Sequence, residues 1–277
     1  MPEDAPERVE GHTTRRVLVT GAASGLGAAL TAAFRARGDE VLATDVVSTP
    51  LDHRDGPVEH REHDVLRLDV TSDDDWAAAL ATVEERWGGL DILVNNAGVA
   101  GGGRIDVAGL DEWEWITGIN LFGVVRGCRT FVPMLKRQRS GQIVNVASLA
   151  GLVHPAGMAS YNAVKAGVVA LTETLGHELA PYDVGASVVC PSYFRTNLMD
   201  SLRGADEALG GVVTALVETS PFTADEIAAA VLAGLDAGEE VILPDPAARA
   251  AWELKQTDRA AYVDQMRRQA ARLDQLA

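Results

Sequence analysis

Residues 15–21 read Arg-Arg-Val-Leu-Val-Thr-Gly, a short apolar run that ends on glycine. Ala22-Ala23-Ser24-Gly25-Leu26-Gly27 follows, and then a helix-favouring stretch from Ala28 to Phe34. A strand, a glycine-rich turn and a helix in that order constrain the fold more than any other feature of the chain. They form the first unit of a dinucleotide-binding sheet. The glycines let the backbone turn tightly and approach a pyrophosphate, and the helix N-terminus offers free N–H groups and a dipole that favours anions. The spacing Gly21, Gly25, Gly27 is G-x-x-x-G-x-G rather than G-x-G-x-x-G, and alone it also fits an ordinary strand–helix turn.

Support comes from Glu40 to Asp45, a second apolar strand ending in a carboxylate about 20 positions after the turn. An acid there accepts hydrogen bonds from both adenosine ribose hydroxyls and repels a 2′-phosphate. No Arg or Lys lies in the turn, where Ser24 precedes Gly25, and Val46-Val47-Ser48 follow Asp45. These residues predict NAD rather than NADP.

Strand and helix signals alternate along the rest of the chain. Strands are expected at 15–20, 40–45, 65–70, 90–95, 142–147, 185–190 and 239–243, and helices at 25–37, 73–87, 111–137, 157–180 and 223–237. That alternation predicts an α/β fold, a Rossmann-type doubly wound parallel sheet of about seven strands with helices on both faces. Residues 15–244 are read as one such domain. Met1 to Thr14 are read as a mobile polar tail, and 245–277, rich in helix formers, as a C-terminal helical extension of one or two helices. Residues 46–64 read as a polar connection, and their His53, His60 and His63 lack metal-ligand spacing. Residues 192–222 are a long connection of the kind that is usually functional.

Tyr161-Asn-Ala-Val-Lys165, with Ser148 thirteen positions upstream, supplies the chemistry. On a helix, Tyr and Lys four apart share a face. A lysine ammonium nearby is expected to favour the phenolate and lower the tyrosine pKa from about 10. The pair can then move a proton to or from an alcohol or carbonyl oxygen, while a serine holds the same oxygen. The spacing alone is also what a surface Lys beside a half-buried Tyr would show.

Taken together, these residues resemble the classical short-chain dehydrogenase/reductase family, over about Arg15 to Pro244. Thr20-Gly-Ala-Ala-Ser-Gly-Leu-Gly27 is similar to its cofactor turn, with Gly21, Ser24, Gly25, Leu26 and Gly27. Asp69-Val70 resembles the pair beside the adenine ring, and Asn95-Asn96-Ala97-Gly98 the motif lining the cofactor cleft. Asn120 stands where the family has its active-site asparagine, and Ser148, Tyr161 and Lys165 match the catalytic residues. The resemblance implies that Lys165 also holds the nicotinamide ribose, that Asn120 holds a water linking Lys165 to solvent, and that Pro191 and Thr196 meet the nicotinamide end. One departure stands out: Ser192 occupies the place of the glycine that usually follows Pro191, which puts the local loop geometry in question.

The net charge of −16 over 277 residues argues against nucleic-acid partners and anionic membranes, and against acyl carrier protein. Cys128 and Cys190 have no metal or redox spacing and read as reduced core residues of a cytoplasmic protein. No stretch is apolar and long enough to span a membrane, and no metal site is expected. The resemblance implies a homotetramer, or a dimer, joined through the helices carrying Asn120 and Tyr161.

The reading is an NAD-dependent alcohol dehydrogenase or ketoreductase, with alcohol oxidation favoured. Leu149 and His154 after the serine, and Tyr193 and Phe194 in an apolar lid over 192–222, are expected beside Ser148 and Tyr161 around the substrate. That points to a bulky, apolar secondary alcohol or ketone such as a steroid, terpenoid or polyketide-like ring. A small diol or sugar alcohol is the alternative, and a catalytically silent NAD-sensing or scaffolding protein is the alternative from another class.

Overall fold

The computed structural model describes residues 14–47 and 65–275. The expected tail, apart from Thr14, and the His-bearing connection beyond Val47 lie outside the described residues.

Seven strands form one parallel sheet: β1 (Arg16–Thr20), β2 (Glu40–Asp45), β3 (Val65–Arg67), β4 (Ile92–Asn95), β5 (Gly141–Val146), β6 (Val184–Val189) and β7 (Val241–Ile242). Their order is β3-β2-β1-β4-β5-β6-β7. The chain builds outward from β1 on one side and then crosses to β4 on the other. This reversal opens a crevice at the C-terminal ends of β1 and β4, where such sheets bind ligands.

Alternation along the strands feeds two cores. Val17 and Val19 of β1, with Val144 and Val146 of β5, pack on one face with Leu30 and Phe34 of α1 (Gly25–Ala36) and Ile227 and Val231 of α8 (Ala224–Asp236). Leu18 and Ile143 point to the other face. They meet Trp76 of α2 (Asp73–Trp87), Phe131 of α4 (Phe122–Gln138) and Val168 of α6 (Ala159–Leu179). Both faces are buried, as a parallel sheet requires. Helix ends follow local chemistry: the Ser72 side chain caps α2 at Asp75 N–H, and Gly88 closes it in the left-handed conformation.

Three elements differ from expectation. The single helix expected over 111–137 is two, α3 (Leu110–Asn120) and α4, broken at Leu121 with φ −114° and ψ −58°. The bend brings Gly123 against Val70, whose Cγ2 would lie 2.9 Å from a Cβ at Gly123. A four-residue helix, α5 (Ala150–Val153), stands between β5 and α6. The segment 192–222 holds a short 3-10 helix (Asn197–Ser201) and α7 (Glu207–Glu218). Beyond β7 the chain forms a helix pair, α9 (Pro246–Thr257) and α10 (Arg259–Asp274).

Candidate active site

The crevice opens into a cavity of about 1120 Å³ that runs from Asp45 past Ser148 and Tyr161 to the underside of α7 and α10. Its first part is built from backbone. A Cβ at Gly27 would lie 2.0 Å from the Gly21 carbonyl oxygen, and one at Gly25 would lie 2.6 Å from Thr196 Oγ1. Gly21 and Gly25 have φ of 67° and 53°, a region that favours glycine. The Ser24 side chain makes no cap, and the first turn of α1 carries no acid. The helix N-terminus is therefore open to an anion in the cleft. Asn96 pins the turn from behind, its Nδ2 donating to the carbonyls of Thr20 at 2.9 Å and Gly21 at 3.2 Å. The Thr20 hydroxyl accepts from the N–H groups of Asn96 and Ala97.

At the β2 end, Asp45 accepts from the N–H groups of Ala23 at 3.0 Å and Val47 at 3.2 Å. Asp69, Val70, Gly98 and Leu26 line the same stretch. The residues present fit a nicotinamide dinucleotide: a backbone cradle, an uncapped helix and a carboxylate, in that order along one cleft.

The reacting groups sit at the centre. Ser148 follows β5, and Tyr161 and Lys165 lie on consecutive turns of α6, both buried. The Ser148 hydroxyl is close enough to the Tyr161 phenol to act on its pKa, and it accepts from Ala150 N–H at 3.2 Å. Lys165 Nζ donates to the Val146 carbonyl at 3.0 Å and stands 5.8 Å from the Tyr161 ring centroid.

Here the expected electrostatics need correction. Burial pushes the Tyr161 phenol up to about 12, against the lowering effect of the Ser148 hydrogen bond. Burial likewise pulls the Lys165 ammonium down to about 8. Burial of the phenol outweighs the effect of Ser148, so Tyr161 rests as the neutral phenol near pH 7.

Asn120, fully buried at the end of α3, accepts from Val99 N–H at 2.8 Å and donates to the Val99 carbonyl at 3.0 Å. Its carboxamide therefore fixes the loop after β4. Behind β4 and β5, Asn95 donates to Asn145 at 2.9 Å and Asn145 to Thr172 at 3.0 Å. This chain of polar groups joins the sheet to α6.

Ser192 explains its own departure. Its N–H donates to Asp245 Oδ2 at 2.9 Å and its hydroxyl to Oδ1 at 2.6 Å. Asp245, 1% exposed, also caps α9 at Ala248 N–H. Ser192 does not adopt a positive φ. The serine and the extension thus belong together: one carboxylate ties the loop after Pro191 to the start of the helix pair.

Leu149, Tyr193 and Phe194 line the cleft, as do Pro191 and Thr196. His154 does not. Its φ of 47° after α5 turns the exposed ring outward, where Nε2 meets the Gly151 carbonyl and Nδ1 meets Lys255 of α9 at 3.1 Å. Leu209 and Val213 of the segment 192–222 line the cavity too, and Trp115, Met158 and Gln269 line it without having been expected there. The helical spacing of Tyr262, Met266 and Leu273 was the available signal for α10.

The segment 192–222 is tied to the loop after β4 along this space. Arg104 donates to buried Asp206 through Nε at 2.8 Å and through its own N–H at 3.1 Å. Ala100 N–H donates to Ser201 at 3.0 Å, and Gly101 pairs with Arg203. Cys128 and Cys190 are buried free thiols, each pushed up to about 12 by burial.

A cradle, an uncapped helix and a Ser-Tyr-Lys cluster on one doubly wound sheet define a nucleotide-dependent oxidoreductase. The family described as short chain dehydrogenase matches residues 15–207, and the chain belongs to that family, whose members act on alcohols or ketones. The chain is 34% identical over 232 residues to 2-(R)-hydroxypropyl-CoM dehydrogenase of Xanthobacter autotrophicus, covering 81% of this chain and 93% of that one. It is 36% identical over 186 residues to 3-alpha-(or 20-beta)-hydroxysteroid dehydrogenase of Mycobacterium bovis, covering 66% and 70%. Among solved structures, a short chain dehydrogenase/reductase from Burkholderia phymatum in complex with NAD superposes with TM-score 0.79 at 29% identity, over 89% of this chain and 94% of that one. A short chain dehydrogenase from Burkholderia cenocepacia in complex with NADP superposes with TM-score 0.73 at 26% identity, over 91% and 97%. No helix among the described residues is long and apolar enough to cross a membrane.

Proposed function

We propose that this protein is an NAD-dependent dehydrogenase that interconverts a bulky, apolar secondary alcohol and its ketone. The observation that carries the reading is the convergence of Ser148, Tyr161 and Lys165 on one wall of a cleft whose far end is the uncapped α1 and Asp45. When bound, the nicotinamide nucleotide supplies the hydride acceptor or donor. The Ser148 hydroxyl holds the reacting oxygen, and Tyr161 Oη exchanges the proton with that oxygen. The resting phenol is poised to donate to a ketone; oxidation requires that it first lose its proton. Lys165, drawn down to about 8 by burial, is the neighbouring group through which that proton leaves. Asn120, whose carboxamide holds Val99, completes the reading as the residue beside which a water would link Lys165 to solvent.

Asp45 supports NAD over NADP, since a carboxylate at the end of β2 would repel a 2′-phosphate. The cavity of about 1120 Å³ lies just above the range usual for one drug-sized ligand, about 300–1,000 Å³, and continues past Tyr161 along the apolar side chains of Leu209, Val213 and Met266. A homotetramer joined through α3, α4 and α6 belongs to the same reading. It would cover exposed Phe122 at the start of α4, and light scattering that finds a monomer contradicts it.

The test is NADH formation, followed by its near-ultraviolet absorbance, with alcohols graded from small diols to steroids and NADP in parallel. Turnover with NAD on the bulky apolar members is expected. Turnover with NADP alone would overturn the assignment of Asp45, and nucleotide binding without any turnover is the behaviour of a silent sensor.

A further inference from the structure

The substrate end of the cavity has a wall that the dehydrogenase reading does not require, the face of α10. Tyr262, Met266, Gln269 and Leu273 recur at helical spacing on one side of this helix. Both ends of that face are anchored to the chain's own core. The Tyr262 hydroxyl donates to the Val153 carbonyl, beside which Lys255 Nζ donates to the Leu152 carbonyl. Leu273 is buried in the cluster that contains Tyr161, Met158 and Leu209. Its Cδ1 would lie 2.8 Å from a Cβ at Gly157, whose φ is 86°. The helix pair therefore closes the cavity of its own subunit.

Between those anchors an apolar residue is what packing demands, and Gln269 stands there, half-buried and lining the cavity. Gln265, one turn earlier, lines it at the exposed rim. Neither carboxamide has a hydrogen-bond partner among the described residues. Each carboxamide thus keeps a donor and an acceptor free on the cavity wall, where a ligand oxygen can pair with it. The charge of the cavity narrows the ligand. Its charged lining residues are Asp45, Asp69, Glu114 and Lys165, so among the described residues the one cation is the lysine beside Tyr161. Nothing else there would neutralise a carboxylate, sulfonate or phosphate, and the net charge of −16 opposes one.

We propose that α10 is the specificity wall of this site, with Gln269 and, at the rim, Gln265 binding an uncharged oxygen of the substrate remote from its reacting carbinol. The substrate class is then a neutral, largely apolar molecule with a second carbonyl or hydroxyl oxygen, not an organic anion. This rests on the dehydrogenase reading.

A matched sterol series tests it: the hydroxy-ketone androsterone, the same androstanol lacking the ketone, and the same androstanol carrying a carboxylate in its place. The wild-type protein is expected to favour the hydroxy-ketone in kcat/KM over both others. Gln269→Leu continues the apolar face and so keeps the helix packed. It should reduce the preference for the hydroxy-ketone over the plain androstanol about tenfold, the worth of one hydrogen bond, and mainly through KM. A merely structural role would move both substrates together. A preference for the carboxylate, equal use of the plain androstanol, or an unchanged preference in Gln269→Leu overturns the proposal and leaves the dehydrogenase reading standing. Turnover of none of the three overturns the substrate class, and the graded alcohols then decide separately whether the protein is a dehydrogenase.

Discussion

On the cofactor side of the cleft the walls are backbone. Gly21, Gly25 and Gly27 leave no room for a Cβ, and the carbonyls of Thr20 and Gly21 are held by Asn96. On the substrate side the walls are side chains from segments far apart in the chain. Arg104 clamps Asp206, Asp245 ties Ser192 to α9, and Tyr262 and Leu273 seat α10. The difference follows from what each side has to recognise. A pyrophosphate is the same in every dinucleotide, and main-chain N–H groups suffice for it. A substrate varies, and side chains on a lid and an added helix pair can change without disturbing the sheet.

Substitutions on the two sides should therefore fail differently. The largest effect is expected from Gly27→Val, whose Cβ would lie 2.0 Å from the Gly21 carbonyl oxygen. Overpacking of about 3 kcal/mol translates into NADH binding weakened by about a hundredfold. Fluorescence titration showing near-normal affinity would break the comparison on the cofactor side. Asp245→Ala comes next. It leaves Ser192 N–H unpaired and α9 uncapped, for a loss of about 2 kcal/mol of stability. A lower melting temperature and a raised substrate KM are expected, with NADH affinity changed less than by Gly27→Val. Asp245→Asn, which keeps a cap, should recover part of the loss.

A smaller effect is expected from Arg104→Met, which frees the lid at Asp206. Substrate KM should rise severalfold while NADH affinity stays put, and equal changes in both would mean that the lid also shapes the cofactor side.

The smallest effect concerns pH. His154 is held below its ordinary value of 6.5, first by the partial desolvation of a ring still largely exposed and then by the Lys255 ammonium, against the bond to the Gly151 carbonyl. A depressed pKa means that the folded state favours neutral histidine. The Lys255 latch is therefore intact above about pH 6.5 and is lost as the pH falls through the folded-state value. Substrate KM should rise on acidification more in the wild type than in His154→Gln. Identical profiles would show that the latch does not hold α9.

The same contrast decides what the sequence made legible. Features set by neighbours close in the chain carry short local signatures: the glycine turn follows β1, Asp45 ends β2, and Tyr161 and Lys165 share a face of α6. Side-chain features depend on distant partners. His154 follows Ser148 closely enough to be expected at the substrate, yet a left-handed residue after α5 turns it to Lys255. Ser192 looked like an isolated departure until Asp245 stood against it, although Asp245-Pro246 is a good helix start in its own right. The break at Leu121 follows from the fit of Gly123 on Val70, which no helical periodicity reports. The pKa of Tyr161 was misjudged because spacing shows its lysine neighbour and not the dryness of the site.

The central claim is that Tyr161 moves the proton in a site that holds the nucleotide independently of it. The direct measurement is turnover and NADH binding in Tyr161→Phe. The account predicts kcat reduced by about a thousandfold or more, as for loss of an acid–base group, with NADH affinity close to that of the wild type. Substantial remaining turnover in a variant that still binds NADH would contradict it.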